Sequence, residues 1–283
     1  MARWRRRLGG GRERAASLAA SPTARPGDLR RPCHEISVPE RPQRVNARGS
    51  PLACLSPSRP CNPRLRAEIV PEVVRYSPNA VLLVVSNPCD IMTWLVYKLS
   101  GFPKNRVLGS GTALDSSRFR TLVGQRLGVS PHSVHGYIIG EHGDSSVACW
   151  SQLNVGGVPL KTNWPTLGTK EDPDEWYKVH QEVIDAAGTV IRLKGYTSSG
   201  IGLTAASIVD CILRNDRRVI PVSTVAHGFY GITDEVFLSL PCVVGNNGVR
   251  DVCAMPLDDS EASKLRGSAE AIAAVQKPLD IDA

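Results

Sequence analysis

Nowhere in the 283 residues is there a run of about eighteen uninterrupted apolar residues, so no membrane-spanning helix is expected. Metal-ligand spacing is missing too. The eight cysteines, Cys33, Cys54, Cys61, Cys89, Cys149, Cys211, Cys242 and Cys253, form no C-x-x-C pair and no regular pattern, which excludes the common zinc frameworks. Those beyond residue 80 sit among apolar neighbours, as in Ala148-Cys149-Trp150 and Pro241-Cys242-Val243, and read as buried, reduced thiols of an intracellular protein. No internal repeat is present, which excludes a solenoid. Lysine is absent from residues 1–66, where 15 arginines face 4 acids; this segment carries +11 and the remainder −4 of the chain's net +7. The positive excess therefore belongs to the leader, and the mildly acidic remainder is not expected to bind nucleic acid or a membrane surface.

What is present divides at about residue 66. Residues 1–66 hold nine prolines with repeated Arg, Ser and Gly and no apolar period, the composition of a disordered Arg/Pro-rich leader. Its first residues, Met1-Ala2-Arg3-Trp4-Arg5-Arg6-Arg7-Leu8, match an organelle transit peptide in composition. A basic tail that touches nucleic acid or anionic lipid, and sequence foreign to the fold, are the open alternatives. Gly9-Gly10-Gly11 is not a dinucleotide loop, because Arg14 stands at the third glycine position and no apolar strand precedes it.

From residue 67 onward the pattern is that of a folded domain. Residues 68–76 read as the end of a helix, and residues 80–86 are apolar on both faces, as in a parallel strand covered from both sides. A helix is predicted over 90–99, closing at Gly101, then a short strand over 106–110. Thr112 is placed to cap the next helix, with Asp115 as the acidic half of the cap and Gly128 at the far end. Alternation of strand and helix indicates an α/β sheet, whose ligands bind beyond the carboxyl ends of the strands; Asn87 lies at such an end. Residues 147–160 read as hairpin-like, with Gly156 and Gly157. A long helix follows over 173–194, with Trp176, Val179, Val183, Ala187 and Val190 or Ile191 on one stripe, and Gly195 ends or kinks it. A helix over 198–215, strands over 219–226, 236–244 and 249–255, and a last helix over 260–276 make the second half α+β.

One stretch, Val134 to Val147, reads as a strand that delivers His142 into a loop flanked by Gly140 and Gly143, beside Glu141 and Asp144. An imidazole so placed can serve as a general acid or base near neutral pH, or it can be an incidental loop histidine. Asp115 and Arg118 are three apart on one helix, so they share a face; taken alone that is an intrahelical ion pair worth a few tenths of a kcal/mol.

Ser86-Asn87-Pro88, Gly101 to Val107, Gly109-Ser110-Gly111-Thr112, Leu114 to Arg120, Gly140 to Val147, Leu193 to Ser198, Pro221 to Thr224 and Gly228 to Gly231 occur in the order found in L-lactate dehydrogenases. From about residue 68 the chain resembles that family. The resemblance implies an NAD-dependent oxidoreductase that moves a hydride between a small 2-hydroxy acid and its 2-oxo form, cytoplasmic and homo-tetrameric. His142 would be the proton donor and acceptor, Asp115 the carboxylate that holds its tautomer, and Arg118 the two-pronged grip on the substrate carboxylate. Asn87 would lie beside substrate and nicotinamide, Thr197 would give a second substrate contact, and Ser86 and Ile201 would line the cofactor.

The implied fold is an incomplete doubly wound, Rossmann-type parallel sheet followed by an α+β C-terminal substrate domain. Its expected boundaries are 1–66 for the leader, 67–112 for the remnant of a dinucleotide-binding domain, and 113–283 for the catalytic domain. The family's glycine-rich pyrophosphate turn, its acidic ribose contact and its mobile-loop arginine are not found in residues 1–66, so the strand over 80–86 is expected to lack cover on its outer edge and on both faces. Ala113 and Ser199-Gly200 stand where the family often has Asn and Trp-Ala. Three alternatives follow: a malate dehydrogenase-type enzyme, a catalytically dead subunit that associates with full-length relatives, and, if the leader is a transit peptide, an organellar location.

Overall fold

The computed structural model describes residues 68–279; the predicted leader over 1–66 lies outside the described residues. In chain order the elements are α1 (Val70–Tyr76), β1 (Leu82–Val84), α2 (Cys89–Ser100), β2 (Val107–Gly109), α3 (Ala113–Leu127), β3 (Val134–His135), β4 (Ile138–Ile139), β5 (Val147–Ala148), β6 (Asn154–Val155) and β7 (Val158–Pro159). They continue with α4 (Tyr177–Lys194), α5 (Ser199–Arg214), β8 (Arg218–Val225), β9 (Phe237–Gly245), β10 (Gly248–Val252) and α6 (Asp259–Gln276). No described helix is long and apolar enough to cross a membrane.

The predicted parallel pair is present. β1 and β2 run parallel in the register Leu82↔Val107, Leu83↔Leu108, Val84↔Gly109, joined through α2. The C-terminal strands extend the same sheet, which has the order β1-β2-β8-β9-β10. β8 meets β2 antiparallel at Gly109↔Ser223, pairs with β9 along its whole length, and β9 turns back into β10 with a register shift between Val249 and Asp251. Alternate residues of β9, Leu238, Leu240, Cys242 and Val244, join Ile208 of α5 and Leu265 of α6 in the main core. Phe237, on the other face, packs with Trp94 and Leu95 of α2. A strand apolar at nearly every position is thereby buried on both sides.

Several local expectations need correcting. The faces of β1 are half-covered: Leu82 and Val84 pack against Val70, Val96 and Phe102, while Leu83 packs against the main core. Only its outer edge has no strand partner among the described residues. Thr112 makes no side-chain cap on α3; its hydroxyl donates to the Ile138 carbonyl at 2.6 Å, and Asp115 serves His142 instead of a cap. The hairpin over 147–160 is confined to β6 and β7, because β5 pairs with β4. α4 begins at Tyr177 rather than 173, since the Asp172 carboxylate accepts the N–H groups of Gly168, Asp174 and Trp176 and holds that segment as a turn. The apolar stripe of α4 is buried only as far as Val183, and Val190 and Ile191 are exposed.

Where β2 meets β8, side chains of α2 and β8 leave no room for a Cβ on Gly109. A Cβ on Gly109 would lie 2.4 Å from Thr93 Oγ1 and 2.9 Å from both Cys89 Sγ and Ser223 Cβ. Gly109→Ala is therefore expected to destabilise the fold by about 1–3 kcal/mol through overpacking. A urea unfolding midpoint equal to that of the unsubstituted protein would show that this junction yields without cost.

Candidate active site

His142 is carried beyond β4 by a loop stitched down on three sides. Gly140, at φ +86°, exchanges backbone hydrogen bonds with Ser239 of β9 at 2.9 and 2.8 Å. The Glu141 N–H donates to Ser268 Oγ of α6 at 3.0 Å, and the His142 N–H donates to Asp90 Oδ2 at 2.7 Å. Polar groups of neighbouring elements thus hold a short irregular segment that cannot satisfy its own backbone.

The side chain of His142 is equally determined. Its Nδ1 lies 2.7 Å from Asp115 Oδ2. The other oxygen, Asp115 Oδ1, accepts from Arg118 Nη1 at 3.3 Å. Asp115 comes from the first turn of α3 and is 8% exposed, so its carboxylate faces both cations in a shielded setting. Nε2 of His142 and the remaining guanidinium N–H groups of Arg118 make no hydrogen bond among the described residues. The intrahelical pair visible in the sequence is real, and it uses only half of the carboxylate.

Two opposing influences act on the imidazole. Burial pulls the His142 pKa down, but the hydrogen bond and charge of Asp115, with the charge of Asp90, outweigh burial and the nearby Arg118; the result lies above the ordinary 6.5. The pocket thus favours the cation more than water does. A second histidine, His180 of α4, behaves oppositely: burial and the charge of Lys264 push it down to about 4, and its Nε2 lies 3.1 Å from Ser146 Oγ.

The other expected site residues are less engaged. Ser86 and Asn87 are exposed just past β1, at the carboxyl end of a parallel strand, and Asn87 precedes Pro88 through a cis peptide. Thr197 is exposed between α4 and α5, and Ile201 is half-buried on α5. None of the side chains of Ser86, Asn87 and Thr197 forms a hydrogen bond among the described residues. Asp90 was missed by sequence reasoning, although a charged residue inside the apolar run Cys89 to Val96 is a visible signal. Ser223, which donates to it at 2.6 Å from 133 positions away, left none.

Residues 112–278 match the family model described as lactate/malate dehydrogenase, alpha/beta C-terminal domain. The chain belongs to the lactate/malate dehydrogenase family. Residues 60–109 match that family's NAD binding domain. Over 211 residues, 75% of this chain, it is 55% identical to the L-lactate dehydrogenase A chain of Caiman crocodilus apaporiensis and 54% identical to that of Columba livia. It spans 64% of the length of each.

A histidine whose folded pKa lies above its unfolded value adds stability that is complete below the unfolded value, 6.5, and is lost as pH rises through the folded value. Asp115→Asn removes the main source of that rise and leaves burial to win. The substitution is expected to cost on the order of 1–3 kcal/mol below pH 6 and distinctly less above pH 8. Urea unfolding of both proteins at the two pH values checks this; a cost that grows with pH would contradict it.

Proposed function

We propose that this family member carries the acid/base half of an L-lactate dehydrogenase-type site, acting reversibly on a small 2-hydroxy acid and its 2-oxo form with NAD. The observation that carries the reading is the single Asp115 carboxylate in contact with both His142 Nδ1 and Arg118 Nη1. With Nδ1 held by Asp115, Nε2 is the atom that gives a proton to the substrate's carbonyl oxygen, or takes one from its hydroxyl. The free prongs of Arg118 bind the substrate carboxylate, and Thr197 adds a second contact. Residues 67–112 are read as the remnant of the dinucleotide-binding domain and 113–283 as the catalytic domain. The similarity to two L-lactate dehydrogenase A chains favours lactate and pyruvate over malate and oxaloacetate.

The residues fit the nicotinamide end of NAD. Ser86 and Asn87 are open at the end of a parallel strand, the position where such sheets bind ligands, and the hydrogen bond from His142 N–H to Asp90 places the His142 loop against the helix that follows them. Ile201 offers an apolar surface from α5. NAD supplies the hydride acceptor or donor when bound. Among the described residues the one G-x-G turn from a strand into a helix, Gly109-Ser110-Gly111 between β2 and α3, has Leu114 at the third glycine position, and no residue is assigned to the pyrophosphate.

Purified protein mixed with NADH and pyruvate should consume NADH. His142→Gln should lower kcat by about 10²–10⁴, and Arg118→Lys should raise KM for the 2-oxo acid, because an ammonium cannot form the two parallel bonds of a guanidinium. Failure of the unsubstituted protein to oxidise NADH at millimolar cofactor would overturn the activity.

One feature favours an associating subunit as a second reading. Leu193, Leu203 and Leu213 on α4 and α5 are 84, 74 and 79% exposed, an apolar display of the kind that marks interfaces. A homo-oligomer, or assembly with full-length relatives, would cover it. A monomeric mass in light scattering at micromolar concentration, with no co-elution after co-expression with a full-length relative, would overturn this.

A further inference from the structure

Asp90 lies behind the acid/base pair and reaches the same histidine from its backbone side. It sits in the first turn of α2, three residues after Asn87, and is 2% exposed. Its Oδ2 accepts the His142 N–H at 2.7 Å, and its Oδ1 accepts the Ser223 hydroxyl at 2.6 Å. Ser223 is fully buried on β8 opposite Gly109. Two donors converge on one group from different elements. A carboxylate accepts both with no donor left over, whereas an amide would turn its NH₂ against one of them.

We propose that Asp90, aimed by Ser223, is a positioning residue that locks the His142 backbone to the strand end bearing Asn87, and so sets the spacing between the proton donor and the substrate-and-nicotinamide contact. The inference rests on the acid/base reading of His142 given above. Burial pushes the Asp90 carboxyl up to about 6 against the hydrogen bonds of Ser223 and His142, so its charged form is held at a cost near neutral pH. What the charge does is act on the site. Asp90 faces His142 and Glu141 from the loop and Cys89 from its own helix, while His142 faces Asp115 and Arg118 from α3. Among these, Asp90 and Asp115 both favour the imidazolium, one from behind the backbone and one at Nδ1.

The test compares the unsubstituted protein with Asp90→Asn and Ser223→Ala by three readouts. In Asp90→Asn, hydrogen exchange at the His142 amide should quicken by about ten-fold or more. The His142 imidazole, followed by NMR, should titrate at lower pH because one of its two carboxylate neighbours is gone. Consumption of NADH with pyruvate should show kcat reduced on the order of 10- to 100-fold with KM little changed, since a displaced donor loses alignment and the Arg118 grip is untouched. Ser223→Ala keeps the carboxylate and frees its aim, so exchange should quicken while the titration moves less. Unchanged exchange and titration in a folded Asp90→Asn would overturn the proposal. Should that variant not fold, unchanged exchange in Ser223→Ala overturns it. Absence of turnover in the unsubstituted protein would reject the dehydrogenase reading alone, because exchange and titration still decide whether Asp90 positions His142.

Discussion

Two carboxylates withdrawn from solvent, Asp90 and Asp115, meet at one residue, and the rest of the site follows from the need to match them. A buried charge is tolerable only when its oxygens are occupied by donors. Here all four are: Asp115 takes the His142 ring and Arg118, and Asp90 takes the His142 backbone and Ser223. His142 serves twice, once through its ring and once through its amide. Its position is therefore determined by α2, α3 and β8 together, and displacing it would strand two acids at once. Such over-determination holds an irregular loop still without regular secondary structure.

The sheet provides the surface on which this matching is built. A Cβ on Gly109 would lie 2.9 Å from that of Ser223, which bonds Asp90, and Gly111, at φ +50°, would thrust a Cβ to 2.4 Å from Ser239 Oγ. Ser239 in turn holds Thr112 through its hydroxyl and Gly140 through its backbone, so the start of α3, which bears Asp115, and the His142 loop share one anchor on β9. This wall of the site is rigid by construction. The opposite side differs: α4 stops at Gly195, at φ +90°, and residues 195–200 are exposed through the junction with α5. Thr197 and the first turn of α5, which carries Ile201, thus come from an exposed stretch.

Much of this was legible in the sequence where the cause is local. A run apolar on both faces marks a doubly covered strand, and Gly101, Gly128 and Gly195 end their helices in the left-handed conformation that glycine adopts freely. The spacing of Asp115 and Arg118 disclosed a shared helix face. It could not disclose that His142 claims the other oxygen, which depends on where a loop 27 residues away is carried. The same reason undid the reading of Thr112: its hydroxyl suits a helix cap by type, but the Ile138 carbonyl, brought close by folding, is the acceptor it finds. The start of α4 was misplaced because Asp172 gathers three backbone N–H groups into a turn that competes with helix. Asp90 was hidden because its role exists only through Ser223 and His142, neither of which lies near it in the chain.

The charges around His142 also differ in kind. Asp115 and Asp90, both held by the fold, favour the imidazolium, whereas Arg118 opposes it even while paired with Asp115. On the proposed reading, a substrate carboxylate seated on the free prongs of Arg118 would offset that opposition, so binding a 2-oxo acid would raise the His142 pKa further. In that reading His142 would be most fully charged with a 2-oxo acid in place. In the proposed reverse direction the same carboxylate would remain on Arg118, and a proton released by the hydroxyl would meet an imidazole whose basicity the bound substrate had raised. Arg118 would thereby do more than orient a substrate: through the carboxylate it shares with His142, occupancy of the grip would be communicated to the imidazole over a single side chain.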